Sequence, residues 1–224
     1  MGHWLRSDGS GRPVRSAVTG ETLGVLGAVP DVAAMRGYAK THGGAALRAM
    51  NFHDRARMLK ALALHLKAHR KALYELSFLT GATLADSQID IDGGIGTLLV
   101  YASKGRREMP EGFVLPDGEV EMLSRDGSFL GQHVLTPRQG IALQINAFNF
   151  PVWGMLEKLA PSLLAGVPSL VKPASDTGYL TQAVVRLIAD SGILPEGALQ
   201  LIMGGTGDLL DCLDAQDTVG FTGS

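Results

Sequence analysis

The feature that most constrains the fold is a polar turn between two short apolar runs in the second half of the chain. Gly140–Ile145 and Val167–Val171 are the apolar runs, and the amphipathic segment between them carries leucines near helical spacing. Gly166 stands where that helix would end. The order strand, helix, strand predicts one βαβ unit of a parallel sheet, because parallel neighbours need a crossover connection.

Polar residues stand at the ends of both predicted strands of this unit. Asn149 follows the first strand and Lys172 ends the second. Open α/β sheets bind their ligands at the carboxyl ends of the strands, so both are candidate site residues. The alternatives are a buried turn asparagine that bonds its own backbone and a solvated lysine at a strand end.

Three helices are predicted before this unit. Asp31 is the expected N-cap of a helix that runs to about Ala49, and Asp54 is the expected N-cap of the next, which Gly81 ends. A third helix is expected over Asp90–Ala102, although each of its glycines costs about 1 kcal/mol relative to Ala. These glycines, which predict a close packing contact, are Gly93, Gly94 and Gly96.

The other segments complete an α/β pattern. The first 30 residues are expected to form an edge hairpin or an extended lead-in, and residues 105–120 a loop. Glu121–Pro137 is expected to form two strands about the turn Arg125–Gly127. The elements expected after Lys172 are a helix Thr177–Asp190, a strand Leu199–Met203, a short helix Asp208–Leu213 and a strand from Val219. This alternation predicts a parallel sheet.

Composition excludes several classes of function. The 224 residues carry a net charge of −2 without a basic tract, so neither nucleic acid nor an anionic membrane surface is an expected partner. No apolar run approaches the roughly 20 residues of a membrane span, and the amino terminus has no hydrophobic signal region. The single cysteine fits a reducing compartment. The expected location is the cytoplasm.

No metal site is predicted. His65 and His69 have the spacing of two ligands on one helix face, but no third ligand is placed beside them, so a solvated face is favoured. Asp90 and Asp92 lack the further oxygen ligands of a calcium loop and are interpreted as a helix start.

Three motifs together resemble the aldehyde dehydrogenase superfamily. They are Asn149-Phe150-Pro151, Lys172-Pro173 and Phe221-Thr222-Gly223-Ser224, in the family's order and at its spacing. Three sequence segments are similar to the dehydrogenase part of PaaZ-type proteins of phenylacetate catabolism: INAFNFPVWGMLEKLAP, GATLADSQIDIDGGIGTL and GDLLDCLDAQD. The resemblance runs from about Gly20 to Ser224.

The resemblance implies an aldehyde dehydrogenase-like α/β fold, with an incomplete Rossmann-type parallel sheet, helices on both faces and a protruding β-hairpin. Residues 1–120 would be the amino-terminal helical part of the cofactor-binding domain. Residues 121–137 would be the hairpin that helps to build a homo-oligomer in the full-length form. Residues 138–224 would be the first part of the dinucleotide-binding sheet, which ends before the catalytic domain.

The implied activity is NAD(P)-dependent oxidation of an aldehyde to a carboxylate through a cysteine thiohemiacetal and thioester. The implied substrate is a CoA-linked semialdehyde from the breakdown of aromatic compounds. Asn149 would donate a hydrogen bond to the carbonyl oxygen as negative charge develops on it. Lys172 would reach the adenosine ribose. Ser175 stands where NAD-preferring members carry Glu, which favours NADP over NAD.

Further cofactor contacts are implied along the same edge. They are Ile145, Asn146, Ala147 and Phe148 beside the nicotinamide, Gly204 or Gly205 near the adenine, and Gly223 and Ser224 near the pyrophosphate. The turn Met203–Gly207 does not fit the G-x-G-x-x-G fingerprint, so a plain turn is its alternative. A helix N-terminus after Ser224 would suit an anion.

The family's nucleophilic cysteine and its general-base glutamate both follow the last motif, so the 224 residues alone are expected to be inactive. Cys212 is not the expected nucleophile, because Asp211 and Asp214 would raise its thiol pKa. Glu157 and Lys158 are interpreted as structural, with a proton-relay role for Lys158 as the alternative. The alternative to an enzyme is a non-catalytic nucleotide-binding or oligomerising product. An unrelated α/β nucleotide-binding domain is a third possibility.

Overall fold

The computed structural model describes residues 4–6 and 8–223 and alternates strands with helices. The strands are β1 (Arg12–Arg15), β2 (Thr22–Leu26), β3 (Leu115–Met122), β4 (Leu130–Leu135), β5 (Ala142–Ile145), β6 (Ser169–Lys172), β7 (Leu199–Leu201) and β8 (Thr218–Phe221). The α-helices are α1 (Val32–Tyr38), α2 (Ala45–Arg48), α3 (Phe52–Ser77), α4 (Leu84–Arg107), α5 (Trp153–Leu164) and α6 (Gly178–Asp190). The predicted βαβ unit is β5, α5 and β6.

A parallel sheet of strand order β7-β6-β5-β8 lies at the centre of the fold. Its strands β5 and β6 are almost wholly buried, which explains why they read as continuous apolar runs rather than alternating ones. Two apolar cores flank the sheet. The core around Leu143 and Leu170 receives α1, and the core around Val171 receives α3, α4, α5 and α6. The α/β class with helices on both faces is confirmed.

The amino-terminal helices confirm one predicted cap and correct another. The Asp31 carboxylate accepts a hydrogen bond from the Ala34 amide, and α1 continues through a π-helical turn into α2. The predicted cap Asp54 is wrong, because Asn51 is the N-cap of α3 and accepts the Asp54 amide. The carboxylate of Asp54 instead lies in the first turn, where the helix dipole favours an anion.

Helix α4 begins six residues before the predicted start. Thr83 and Asp86 form a capping box at its N-terminus, so Asp90 lies inside the helix and is not its start. The predicted close contact is confirmed at two of the three glycines. A Cβ at Gly93 would lie 2.8 Å from the Trp153 ring, and one at Gly94 would lie 3.1 Å from the Trp153 Cα.

Two antiparallel hairpins lie outside the central sheet. The first joins β1 and β2, so the amino-terminal segment is a hairpin rather than an extended lead-in. The second joins β3 and β4 around the predicted turn, but β3 begins at Leu115, inside the predicted loop, and α4 covers the start of that loop. Many apolar side chains of this second hairpin are exposed, among them Val120, Met122, Phe129, Leu130 and Val134.

The predicted short helix Asp208–Leu213 is wrong. The segment forms consecutive turns, in which the amides of Leu209, Asp211 and Leu213 bond three residues back. The first hydrogen bonds of a helix do not offset the entropy lost in forming its first turn. This explains why so short a segment does not continue as an α-helix.

The Gly166 turn, which ends α5, has a tertiary contact as well as a local role. Gly166 adopts φ +80°, and a Cβ there would lie 2.1 Å from Arg55 Nη1. The guanidinium of Arg55 is buried and stacks over the Phe52 ring, and burial lowers its pKa to about 10. Glycine is therefore required both by the left-handed backbone and by the guanidinium beside it.

Among the helices of the described residues, none combines the length and the apolar character needed to cross a bilayer.

Candidate functional site

The carboxyl edge of the sheet brings several of the predicted site residues together. Ile145 pairs with Lys172 on one side and with Phe221 on the other. The Thr222 amide donates to the Ile145 carbonyl at 2.9 Å, so the Thr222-Gly223 turn lies beside the end of β5. Ser224 lies outside the described residues.

Asn146 follows β5 at the centre of this edge and is only 4% exposed. Its backbone amide donates to the Lys172 carbonyl, but neither Oδ1 nor Nδ2 of its side chain has a hydrogen-bond partner among the described residues. A buried polar group without a partner costs about 1–3 kcal/mol. A side chain of this kind is a candidate ligand group.

Asn149 lies three residues further on, in the turn that leads to α5, and its side chain is exposed. Within the described part of the chain, the side-chain amide of Asn149 has no hydrogen-bond partner. The buried turn asparagine considered from the sequence is therefore wrong. Phe148 is also exposed, whereas Ile145 and Ala147 are half-buried. An amide in this position can donate to a group outside the described residues.

The backbone of this turn is held by side chains from two other helices. The amides of Val152 and Trp153 donate to Asp90 Oδ1 at 3.1 and 2.7 Å. The hydroxyl of Thr177 donates to the Phe148 carbonyl, and that of Thr181 donates to the Pro151 carbonyl, both at 2.9 Å.

The three side chains that hold this turn, which are those of Asp90, Thr177 and Thr181, were not identified from the sequence. The sequence pattern indicates a helix start at Asp90 and gives no role for the two threonines. One signal was present for Asp90, since it precedes Gly94 by one helical turn and therefore shares its face. A carboxylate on the face that packs against another helix needs a donor from that helix.

Lys172 is buried, and its Nζ donates to the carbonyl of the adjacent Pro173 at 2.9 Å. Burial lowers the pKa of its ammonium group, because desolvation disfavours the charged form. The solvated lysine considered from the sequence is therefore wrong. A buried ammonium whose other donor positions point to no described acceptor suits a polar ligand at this edge.

Ser175, Gly204 and Gly205 line one cleft of about 420 Å³. The Ser175 hydroxyl donates to the Gly204 carbonyl at 3.4 Å. The first hairpin forms the opposite wall, and Arg12 of that hairpin lines the cleft and pairs with the exposed carboxylate of Asp176. Arg12 is a further candidate that the sequence did not indicate.

The remaining chemical candidates lie elsewhere. Cys212 belongs to the turns that precede β8 and packs against the core around Leu143, whereas Asn149 follows the opposite end of the neighbouring strand. The His65 ring contacts the Leu187 carbonyl rather than a ligand cluster. Lys158 Nζ donates to the Gly154 carbonyl at 2.9 Å and pairs with Glu157. The described residues contain no cluster of three or more potential metal ligands.

Comparison with characterised sequences gives the family of this site. A profile of the aldehyde dehydrogenase family matches residues 4–224. The chain is 44% identical over 225 residues to 3,4-dehydroadipyl-CoA semialdehyde dehydrogenase of Aromatoleum evansii. The alignment covers 100% of this chain and 44% of that protein. It is 29% identical over 230 residues to a non-phosphorylating aspartate-semialdehyde dehydrogenase of Halomonas elongata, with the same coverage. The chain therefore spans less than half the length of these relatives.

Solved structures agree with this result. The betaine aldehyde dehydrogenase of Staphylococcus aureus, solved with NAD+, superimposes with a TM-score of 0.78 and 25% identity, over 93% of this chain and 40% of that one. A benzaldehyde dehydrogenase of Corynebacterium glutamicum shares the fold, with a TM-score of 0.80 and 21% identity over 100% of this chain and 48% of that one. The resemblance inferred from the three motifs is confirmed, and the chain belongs to the aldehyde dehydrogenase family.

Proposed function

We propose that this chain is the amino-terminal, cofactor-binding part of an NAD(P)-dependent aldehyde dehydrogenase that oxidises a CoA-linked semialdehyde to the carboxylate. The observation that carries the proposal is the exposed Asn149 amide, which stands on an anchored turn at the carboxyl edge of the sheet. The Aromatoleum evansii relative, whose name specifies a CoA-linked semialdehyde, supports the substrate class.

In this mechanism Asn149 Nδ2 donates to the aldehyde oxygen as it becomes an oxyanion. The donor needs no reorganisation, because the backbone on both sides of it is already held. A bound NAD(P) would supply the hydride acceptor. Asn146 and Lys172 fit such a polar ligand, since the side-chain amide of Asn146 has no hydrogen-bond partner among the described residues and the Lys172 ammonium is buried. Cys212 lies towards the opposite edge, so the cysteine nucleophile and the glutamate base would come from residues outside these 224.

We further propose that the cofactor is NADP rather than NAD. Ser175 and Arg12 both line the 420 Å³ cleft. A guanidinium and a hydroxyl suit a 2′-phosphate, whereas a carboxylate at position 175 would repel it. Ser175→Glu should therefore weaken NADP+ binding far more than NAD+ binding in calorimetric titrations, while Ser175→Ala should affect both mildly. Tighter binding of NAD+ than of NADP+ by the unaltered protein would contradict this preference.

The exposed hairpin of β3 and β4 supports a homo-oligomer. Its apolar side chains, such as Met122 and Phe129, lie in water in the single chain. Exposed apolar patches of this kind are typical of protein interfaces. We propose that copies of the full natural polypeptide associate through this hairpin in the cytoplasm. Met122→Glu combined with Phe129→Glu should lower the mass found by sedimentation.

The function is tested by incubating the full natural polypeptide with a CoA-linked semialdehyde and NADP+ and following the absorbance of NADPH. Reduction of the cofactor with formation of the acyl-CoA carboxylate supports the proposal. Nucleotide binding without oxidation of any aldehyde would contradict it and favour the non-catalytic alternative.

A further inference from the structure

One face of α4 is built to receive the first turn of α5. Asp90, Gly93 and Gly94 lie on this face, and all three meet residues at the start of α5. The two glycines leave space for Trp153 and Leu156, and Asp90 accepts the amides of Val152 and Trp153. The contact is polar and steric at once, so it sets both the position and the direction of the start of α5.

Helix α5 has no cap of its own. Val152 stands at its N-cap position, and a valine side chain cannot accept a hydrogen bond. The first amides of a helix have no partners within the helix and need acceptors from elsewhere. Asp90, a residue 62 positions earlier in the chain and only 4% exposed, supplies that acceptor. Its carboxylate also complements the positive end of the helix dipole.

The anchored residues are directly linked to Asn149. Phe150 and Pro151 alone separate Asn149 from Val152, and the Gly154 amide already bonds the Phe150 carbonyl at 2.9 Å. Thr181 fixes the Pro151 carbonyl from the other side. A displacement at Val152 therefore moves Asn149, since little chain is left between them to absorb it.

We propose that Asp90 is a positioning residue for Asn149, which it aligns by holding the Val152 and Trp153 amides. The inference rests on the proposed function, because it assigns to Asn149 the role of oxyanion donor. Asp90 touches neither substrate nor cofactor in this role and acts only through the start of α5.

The first test is kinetic and uses the full natural polypeptide. Asp90→Ala removes the acceptor, and a donor misplaced by about 1 Å can cost about a hundredfold in rate, so kcat should fall by roughly that factor. The KM for NADP+ should change less than about twofold. Asp90→Asn keeps one oxygen acceptor and should recover much of the rate. Asp92→Asn is the matched control, since Asp92 is an exposed residue of the same helix, and it should leave kcat unchanged.

A purely structural role predicts a different pattern. Leu98→Ala opens a cavity beside the same helix and leaves the hydrogen bonds from Asp90 to α5 in place. It should therefore reduce the yield of folded protein but not kcat per folded molecule. If Asp90→Ala behaves like Leu98→Ala, with unchanged kcat in the folded fraction, the proposal is overturned while the dehydrogenase activity stands.

The second test does not depend on activity. Hydrogen–deuterium exchange of the Val152 and Trp153 amides should accelerate in Asp90→Ala, and it should not accelerate in Asp92→Asn. Unchanged exchange in Asp90→Ala would overturn the anchor itself. If exchange accelerates in Asp90→Ala as expected but the unaltered protein oxidises no aldehyde, the anchor stands and the proposed function is contradicted.

Discussion

Two polar segments at opposite edges of the central sheet satisfy their hydrogen bonds in opposite ways. In residues 208–217, which lead into β8, the carboxylates of Asp214 and Asp217 accept backbone amides and both pair with Arg36. Asp217, with a side chain only 1% exposed, accepts the amides of Ile141 and Asp214 at 2.8 and 2.9 Å and pairs with Arg36. This segment leaves its central carboxylate fully engaged.

In residues 146–152, which leave β5, the arrangement is reversed. The backbone is held by Asp90, Thr177 and Thr181 from other helices. The side chains of Asn146 and Asn149 have no hydrogen-bond partner among the described residues. The first segment uses polar side chains for stability, whereas the second fixes its backbone and leaves its amides available for a ligand. A preorganised site requires this second pattern.

The largest expected effect is on stability, at the segment that leads into β8. Asp217→Ala removes the acceptor of two amides and the partner of Arg36. Breaking such a buried pair typically costs about 3–5 kcal/mol in the free energy of unfolding. Denaturant unfolding followed by circular dichroism measures the loss, and Asp211→Ala, at an exposed position in the same segment, is the control. A loss no greater than that of the control would remove the contrast between the two segments.

The next effect is on catalysis, at the turn that leaves β5. Asn149→Ala should lower kcat of the full natural polypeptide by about 10²–10³, the usual cost of one oxyanion donor. The free energy of unfolding should change by less than about 0.5 kcal/mol, because the side chain is exposed. Asn149→Asp has the same size but lacks the donor, so it should be no faster. Equal losses in kcat and in cofactor affinity would argue against the oxyanion role.

A smaller effect concerns the anchor and its pH dependence. Burial raises the pKa of Asp90 from 3.8 to about 6, and the bonds from Trp153 and Val152 only partly offset this. The raised value means that ionisation of Asp90 opposes folding, so its cost is present above pH 6 and is lost as the pH falls towards 4. Asp90→Asn lacks this titration. When the pH is lowered from 7 to 4, the unfolding free energy of the native protein should therefore rise by about 2 kcal/mol relative to that of Asp90→Asn. If the difference between the two unfolding free energies is the same at both pH values, the raised pKa of Asp90 is contradicted.

The smallest effect is expected at the Ser175 cleft. Arg12→Ala should weaken NADP+ binding about fivefold and leave NAD+ binding unchanged, since an exposed charge contributes about 1 kcal/mol or less. Arg15→Ala is the matched control, because Arg15 is an exposed arginine of the same strand that bonds the Gly20 carbonyl instead. Equal weakening of both nucleotides would exclude a contact between Arg12 and the 2′-phosphate.

Local patterns in the sequence predicted most of the central sheet and the strand ends that carry the candidate site residues. The apolar runs of β5 and β6 and the leucine spacing of α5 are local signals, and the turn that carries Asn149 had to fall between them. Lys172 was placed at the correct strand end for the same reason. The helix caps were less predictable, since Asn51 and Asp54 are both acceptable near an N-terminus. The choice between them depends on where the chain turns.

The sequence by itself determined the α/β class, the βαβ unit and the motifs that carry the family, because these depend on residues close together in the chain. Only the tertiary structure decided that Asp90 anchors α5 and that Arg12 lines the cleft of Ser175. The first contact joins residues 62 positions apart, and the ion pair of Arg12 with Asp176 spans 164. Contacts of this length are set by the packing of whole helices and hairpins; helical spacing places Asp90 on the same face as Gly94, but it does not identify Val152 and Trp153 as its partners.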